Sequence, residues 1–356
     1  MDGVNALPII GSFYIKEQKL LEMTSYAFAG SKDTSVNIYI DLNSVFKKLF
    51  SASYNMDARL GDYEIASGIL NMIAHYRYFF WHKLKVTTNF YFVYSLLSNN
   101  SLKIYYPMYN SSNISNMNFN RDKYNLIIKN ISLLEKIIPY IPDSCITIGT
   151  VEPCVIMKHI MLTNNSPLPN ILLTKDEVTM QLAAMMANTV IYVPKKYKGE
   201  DNSYVIVPSN NGLYKALADK RKCKQYNFKC EISSQLYSLL LSIVGVKSRD
   251  MNSLISYTSC IKMLESLILS KKINNSYISI IRNLYEEISD KDRNLFINQN
   301  VEGRFKALDM EFQYGMYLNN PERLYYKGIQ NLYDPVGVHE ICDEYFKEYP
   351  INLERM

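Results

Sequence analysis

Between residues 37 and 193 the sequence alternates short β-branched and aromatic runs with segments of helical spacing. That alternation constrains the fold more than anything else in the chain. The runs are Asn37 to Ile40, Thr88 to Tyr94, Cys145 to Ile148, Asn170 to Thr174 and Thr189 to Val193. Strands of this kind, separated by helices, imply an α/β fold with a mainly parallel sheet covered on both faces. The connecting helices are expected at residues 63–84, at Arg121 to Tyr140 (where prolines 139 and 142 end it), at Glu152 to Leu162 and from Lys175 to Leu182. Pro153 suits the first turn of its helix. After Ser233 the pattern becomes helical, with helices at Gln235 to Val244 and Thr258 to Leu269 around a turn at residues 245–253. The chain therefore divides into an N-terminal extension (1–36, with a helix at Ile15 to Phe28), an α/β domain (37–210), a helical region (211–272) and a helical C-terminal extension (273–356).

Three acids fall where strands should end. Asp41 follows the first strand, with Ser44 as the expected cap of the next helix; Glu152 opens the helix after the third; Asp176 follows the fourth. In a parallel sheet all three reach the C-terminal edge, where open α/β sheets place their chemistry. Carboxylates crowded there repel one another unless cations neutralise them, and Mg²⁺ or Mn²⁺ suits such oxygen sites. One meaning is a metal-dependent nuclease centre. The other is that each acid stabilises a helix N-terminus through its free N–H groups. Spacing alone leaves both open.

The rest of the chain narrows the classes. No apolar run reaches the roughly 18 residues of a membrane span, and Met1 to Gly11 lacks the pattern of a signal peptide. Six cysteines without a CxxC pair and four scattered histidines argue against structural zinc and for a reduced, cytoplasmic setting. Cys154 is near Glu152, and His159 is on the same helix, but a buried structural thiol is the expectation. A net charge of +5 permits nucleic acid as a partner. Lys195-Lys196-Tyr197-Lys198 and Lys220-Arg221-Lys222-Cys223-Lys224 are basic runs that serve either as solvated loops or as phosphate contacts. The aromatic run from Tyr76 to Trp81 is expected mostly in the core, with base stacking as the alternative. Thirty tyrosines and abundant Asn, Ile and Lys are compatible with AT-rich codons, hence with a phage source and a host-cytoplasm or virion location.

Four segments, in order over residues 37–272, resemble the flap endonuclease/5′-3′ exonuclease family of PIN-like fold. Ile38-Tyr39-Ile40-Asp41-Leu42-Asn43-Ser44 is similar to the family's Asp-x-Asn-Ser strand end. Glu152-Pro153-Cys154-Val155 stands where the family has Glu-Ala-Asp-Asp. Lys175-Asp176-Glu177-Val178-Thr179-Met180-Gln181-Leu182 resembles its Asp-Lys-Asp-x-x-Gln-Leu signature. Gln235 to Asp250, followed by the helix at 258–269, resembles the helix–three-turn–helix that grips duplex DNA. The resemblance implies a Mg²⁺ or Mn²⁺ site at Asp41, Glu152 and Asp176, and DNA contacts from Lys247, Ser248, Arg249 and Lys262. Lys47, Lys48 and Arg77 stand for the family's gateway cations, and Lys195 and Lys196 supply a further basic cluster.

The departures bear on activity. The second-strand Asp is Val93; both aspartates of Glu-Ala-Asp-Asp are Cys154 and Val155; the second Asp of the next signature is Val178. The last acidic pair is Val246 and Arg249, which would set a fixed positive charge where a second metal sits. Three acids hold one ion at most, and phosphodiester cleavage in this family uses two. No catalytic residue is therefore assigned. The expectation is a catalytically degenerate relative that binds duplex or 5′-flap DNA or scaffolds protein partners, with no membrane contact. Two alternatives stay open: an active Mg/Mn-dependent 5′ nuclease with a reduced site, and a purely structural virion or assembly protein. The turn also carries Asn252-Ser253-Leu254-Ile255 instead of a glycine-rich stretch, which weakens the expected phosphate grip.

Overall fold

Val36, Ile38 and Ile40 point to one side of their strand and Tyr39 and Asp41 to the other, and nearly all are buried. A strand wet on neither face needs neighbours on both sides and helices above and below. The computed structural model supplies both. It describes residues 13–28, 33–46, 63–95, 105–108, 121–217 and 234–313, apart from a few positions in the last two stretches, together with 324–327. The strands are β1 (Ser35–Asp41), β2 (Thr87–Ser95), β3 (Ser144–Gly149), β4 (Asn170–Leu173) and β5 (Thr189–Val193), followed by β6 (Lys196–Tyr197), β7 (Glu200–Asp201), β8 (Tyr204–Ser209), β9 (Gly212–Leu217) and β10 (Leu324–Lys327). The main sheet runs β10-β3-β2-β1-β4-β5-β8-β9. Its five middle strands, β3 to β5, are all parallel.

The helices are α1 (Glu17–Ala27), α2 (Leu42–Phe46), α3 (Glu64–Phe79), α4 (Arg121–Ile137), α5 (Pro153–Asn164), α6 (Ser234–Val244), α7 (Tyr257–Leu269), α8 (Tyr277–Glu287), α9 (Asp290–Asn298) and α10 (Val301–Gln313). Two hydrophobic cores form on opposite sheet faces. Ile38, Ile40, Phe90, Phe92, Ile171 and Leu173 pack with α1 to α4 on one. Tyr39, Tyr91, Val93 and Leu172 pack with α5 to α10 on the other.

Register is pinned by a polar ladder across four parallel strands. Asn89 Nδ2 donates to Asn37 Oδ1 at 2.9 Å, Asn37 Nδ2 to Asn170 Oδ1 at 3.1 Å, and Asn170 Nδ2 to Thr189 Oγ1 at 3.5 Å. A one-residue slip would strand these buried amides, a cost of about 1–3 kcal/mol for each lost partner. With the register held, Asp41 lies beside Val93 of β2.

Within the N-terminal segment, Phe13, Ile15, Leu20, Met23 and Ala27 are buried against the sheet. The elements differ from the sequence-based expectation in three places. The helix expected over 63–84 ends in a π-helical turn, Phe80–Leu84, with Lys85 left-handed. An antiparallel hairpin, β8 and β9, extends the sheet beyond β5. Finally, the C-terminal extension is not wholly helical, because β10 adds an antiparallel edge to β3. No helix among the described residues is long and apolar enough to cross a membrane.

Candidate acidic site at the sheet edge

Asp41 ends β1 and itself caps α2: its Oδ1 accepts from Ser44 N at 3.1 Å. Ser44 is therefore not the cap, because the helix starts at Leu42. The Ser44 hydroxyl instead donates to Asp41 Oδ2, which also accepts from Thr174 Oγ1 at 2.8 Å. The same two hydroxyls accept from the next loop, Ser44 Oγ from Lys175 N at 2.9 Å and Thr174 Oγ1 from Asp176 N at 3.0 Å. Asp41 is 1 % exposed. Burial pushes its carboxyl up from the ordinary range and the charge of Asp176 adds to this, against the hydrogen bonds from Ser44 and Thr174.

Asp176 follows β4 and caps a short 3₁₀ turn, accepting from Val178 N at 3.2 Å. Glu152 sits just before α5, where its backbone carbonyl accepts from Val155 and Ile156. Between them lies Arg249, 4 % exposed. Its guanidinium is 2.8 Å from Asp176 Oδ2 and 3.8 Å from Glu152 Oε2. Burial opposes its charge, but Asp176 and Glu152 outweigh burial and hold its proton more tightly than usual. Ser248 Oγ donates to Asp176 Oδ1 at 3.4 Å. Two of the acids, Asp41 and Asp176, thus cap the turns that follow them, and all three line one edge of the sheet.

These residues do not fit a two-ion centre. Arg249 offsets the charge of Asp176, and both oxygens of Asp41 already accept hydrogen bonds. Among the described residues no three His, Cys, Asp or Glu side chains are placed to hold a metal ion. The positions where the resembled family adds acids are apolar and buried: Val93, Cys154, Val155, Val178 and Val246 are each 0–2 % exposed. Burial also pushes the Cys154 thiol well up, with Asp176 adding to the effect, so it is no ready nucleophile.

The helix–turn–helix is formed by α6, the turn and α7. Gly245, at φ +80°, makes the turn possible: a Cβ there would lie 2.6 Å from backbone atoms of Met251, Asn252 and Ser253. Lys247 to Arg249 form a 3₁₀ turn and Ser256 caps α7. Arg304 of α10, 2 % exposed, donates to Asn252 O at 2.8 Å and stacks on Tyr106. No sequence signal singled out Arg304; its role exists only once α10 lies against the turn. The bridging hydroxyl of Thr174 was at least visible beside Lys175-Asp176.

The predicted DNA contacts divide. Lys247 and Lys262 are exposed beside the turn and on α7, whereas Ser248 and Arg249 face the acids. Arg77 lies at the opposite, N-terminal edge, donating to Pro142 O and Ser144 Oγ and stacking on Phe90, so it does not overhang the acids. Lys47, Lys48 and Lys195 lie outside the described residues, as do Lys198 and the 220–224 run; Lys196 is in β6. Of the aromatic run, Tyr76, Phe79 and Phe80 are core, while Trp81 is exposed.

No family model matches the sequence, and no curated protein does. Solved structures do. A bacteriophage T5 flap endonuclease in complex with DNA and metal ions is 9 % identical, with a TM-score of 0.48, over 90 % of this chain and 98 % of that one. The catalytic core of Rad2 with DNA substrate is 12 % identical, with a TM-score of 0.46, over 91 % and 90 %. Human GEN1 with Holliday junction DNA is 12 % identical, with a TM-score of 0.44, over 88 % and 68 %. They include the family that the motifs resemble, and with TM-scores below 0.5 they assign no role to any residue of this chain.

Proposed function

We propose that this chain is a non-cleaving relative of structure-specific 5′ nucleases that keeps the helix–turn–helix as a DNA-binding or scaffolding element. The observation that carries this reading is the Arg249 guanidinium, buried 2.8 Å from Asp176 and 3.8 Å from Glu152. Two-ion cleavage needs cations on both the attacking and the leaving oxygen. Here a side chain already spends the negative charge that would attract them, and valines fill the space of further ligands. Mg²⁺ or Mn²⁺ would have to displace Arg249 to reach both Glu152 and Asp176.

DNA binding would be of the phosphate-positioning kind, without base readout. The exposed cations of the helix–turn–helix, Lys247 and Lys262, are the proposed contacts. The test is a fluorescence-anisotropy titration with labelled 5′-flap DNA at two salt concentrations, with the same samples then run on a denaturing gel with Mn²⁺ added. Salt-sensitive binding of uncut DNA is expected. Lys247→Ala and Lys262→Ala should each lower the salt slope by about 1. Cut DNA that becomes intact on Asp41→Ala would establish the reduced-site nuclease instead. No binding at all would leave the purely structural role.

A further inference from the structure

We propose that Arg249 is a resident cation: it does at the acidic edge what a divalent ion would do and thereby docks the helix–turn–helix to the sheet without metal. This deepens the reading above and rests on it. Glu152 belongs to the segment after β3 and Asp176 to the loop after β4, whereas Arg249 comes from the turn between α6 and α7. The guanidinium therefore joins three segments far apart in sequence. Ser248 adds a second tie to Asp176, at 3.4 Å.

The turn is held from its other side as well. Arg304 donates to the Asn252 carbonyl at 2.8 Å and to that of Ser242 at 3.5 Å, and it stacks on Tyr106, whose hydroxyl reaches Asp250 O at 3.4 Å. Two buried arginines from different elements thus clamp one turn. A guanidinium suits this duty because its flat fork stays charged when buried and spans two carboxylates. Val246, the neighbour of this turn, is wholly buried, so the segment cannot lift away without exposing core.

The same geometry says what the edge would do without Arg249. Glu152 and Asp176 would lose the cation they share, and a single hydrated divalent ion, which one or two carboxylates can hold, could take its place. Docking should then become metal-dependent. Arg249 acts through the carboxylates, so it is a positioning residue, and no catalytic step is assigned to it.

The experiment is thermal unfolding of the full chain at graded Mn²⁺, with isothermal calorimetry against Mn²⁺ alone, for wild type, Arg249→Ala and Arg249→Lys. Wild type should take up no tightly bound ion and keep its Tm within about 1 °C at every Mn²⁺ concentration. Arg249→Ala should lose about 5 °C or more and recover part of it with a rise logarithmic in Mn²⁺. Arg249→Lys keeps a charge and should sit between the two, with a weaker Mn²⁺ response. If Arg249→Ala does not fold, the Lys variant carries the comparison alone. A Tm gain in wild type equal to that of the variants, or variants that ignore Mn²⁺, would overturn the proposal. Cleavage of flap DNA by wild type would instead sink the non-cleaving reading, so the two failures are distinguishable.

Discussion

Asp176→Asn tests the ion pair at its closest contact. Asn keeps an oxygen at Oδ1, so the bonds from Val178 N and Ser248 Oγ can persist while the charge is lost. Arg249 would then be left with Glu152, 3.8 Å away, as its remaining partner at this contact. Removing one member of a buried pair costs about 3–5 kcal/mol, because the survivor is a buried charge poorly compensated. With Glu152 still near, the lower end applies, about 3 kcal/mol. Arg249→Met removes the cation that Glu152 and Asp176 share and should cost at least as much. The double variant buries neither charge of the contact, and such neutral replacements are often close to neutral in stability. The double-mutant cycle should therefore show a favourable coupling of at least about 3 kcal/mol, reached if the double variant costs as much as one single variant, and about 6 kcal/mol if it is as stable as wild type. Urea unfolding at neutral pH measures all four corners. Losses that add to within about 0.5 kcal/mol would refute the pairing, since independent sites behave that way.

Gly245→Ala places a Cβ 2.6 Å from the backbone at Asn252 and asks a non-glycine residue to hold φ +80°; a loss of at least about 1–2 kcal/mol is expected in urea unfolding, and an unchanged midpoint would contradict the turn geometry. Asp41 holds a proton more readily in the folded chain than in the unfolded one, so between its ordinary value of 3.8 and its raised folded value stability falls as pH rises. Asp41→Asn should gain on wild type across that window, and a pH-independent difference between the two would show that the burial effect is absent. Cys145, Cys154 and Cys260 are buried, and burial pushes Cys145 up to about 12 and the other two also up. Site-resolved maleimide labelling at pH 8 should find these three protected until denaturant is added; rapid native labelling of Cys154 would show an open edge.

The parallel sheet was legible because strands buried on both faces must be apolar throughout, and the runs around Ile38, Phe92, Ile146, Leu172 and Ile191 are. The acids were legible because the ends of parallel strands share an edge. Their partners were less so. Arg249 could be suspected only from the family pattern it breaks, while Arg304 carried no local signal. Arg77 was misplaced for a related reason: its position on a helix does not reveal which end of the sheet that helix's last turns approach.

By itself the sequence determined the order of strands and helices, the burial of both sheet faces and the delivery of Asp41, Glu152 and Asp176 to one edge. Those follow from local periodicity and strand direction, which are properties of neighbouring residues. Only the tertiary structure decided that the edge is closed by a guanidinium and two hydroxyls. The groups that neutralise a buried charge come from wherever the chain folds back, so no spacing along the sequence encodes their distance.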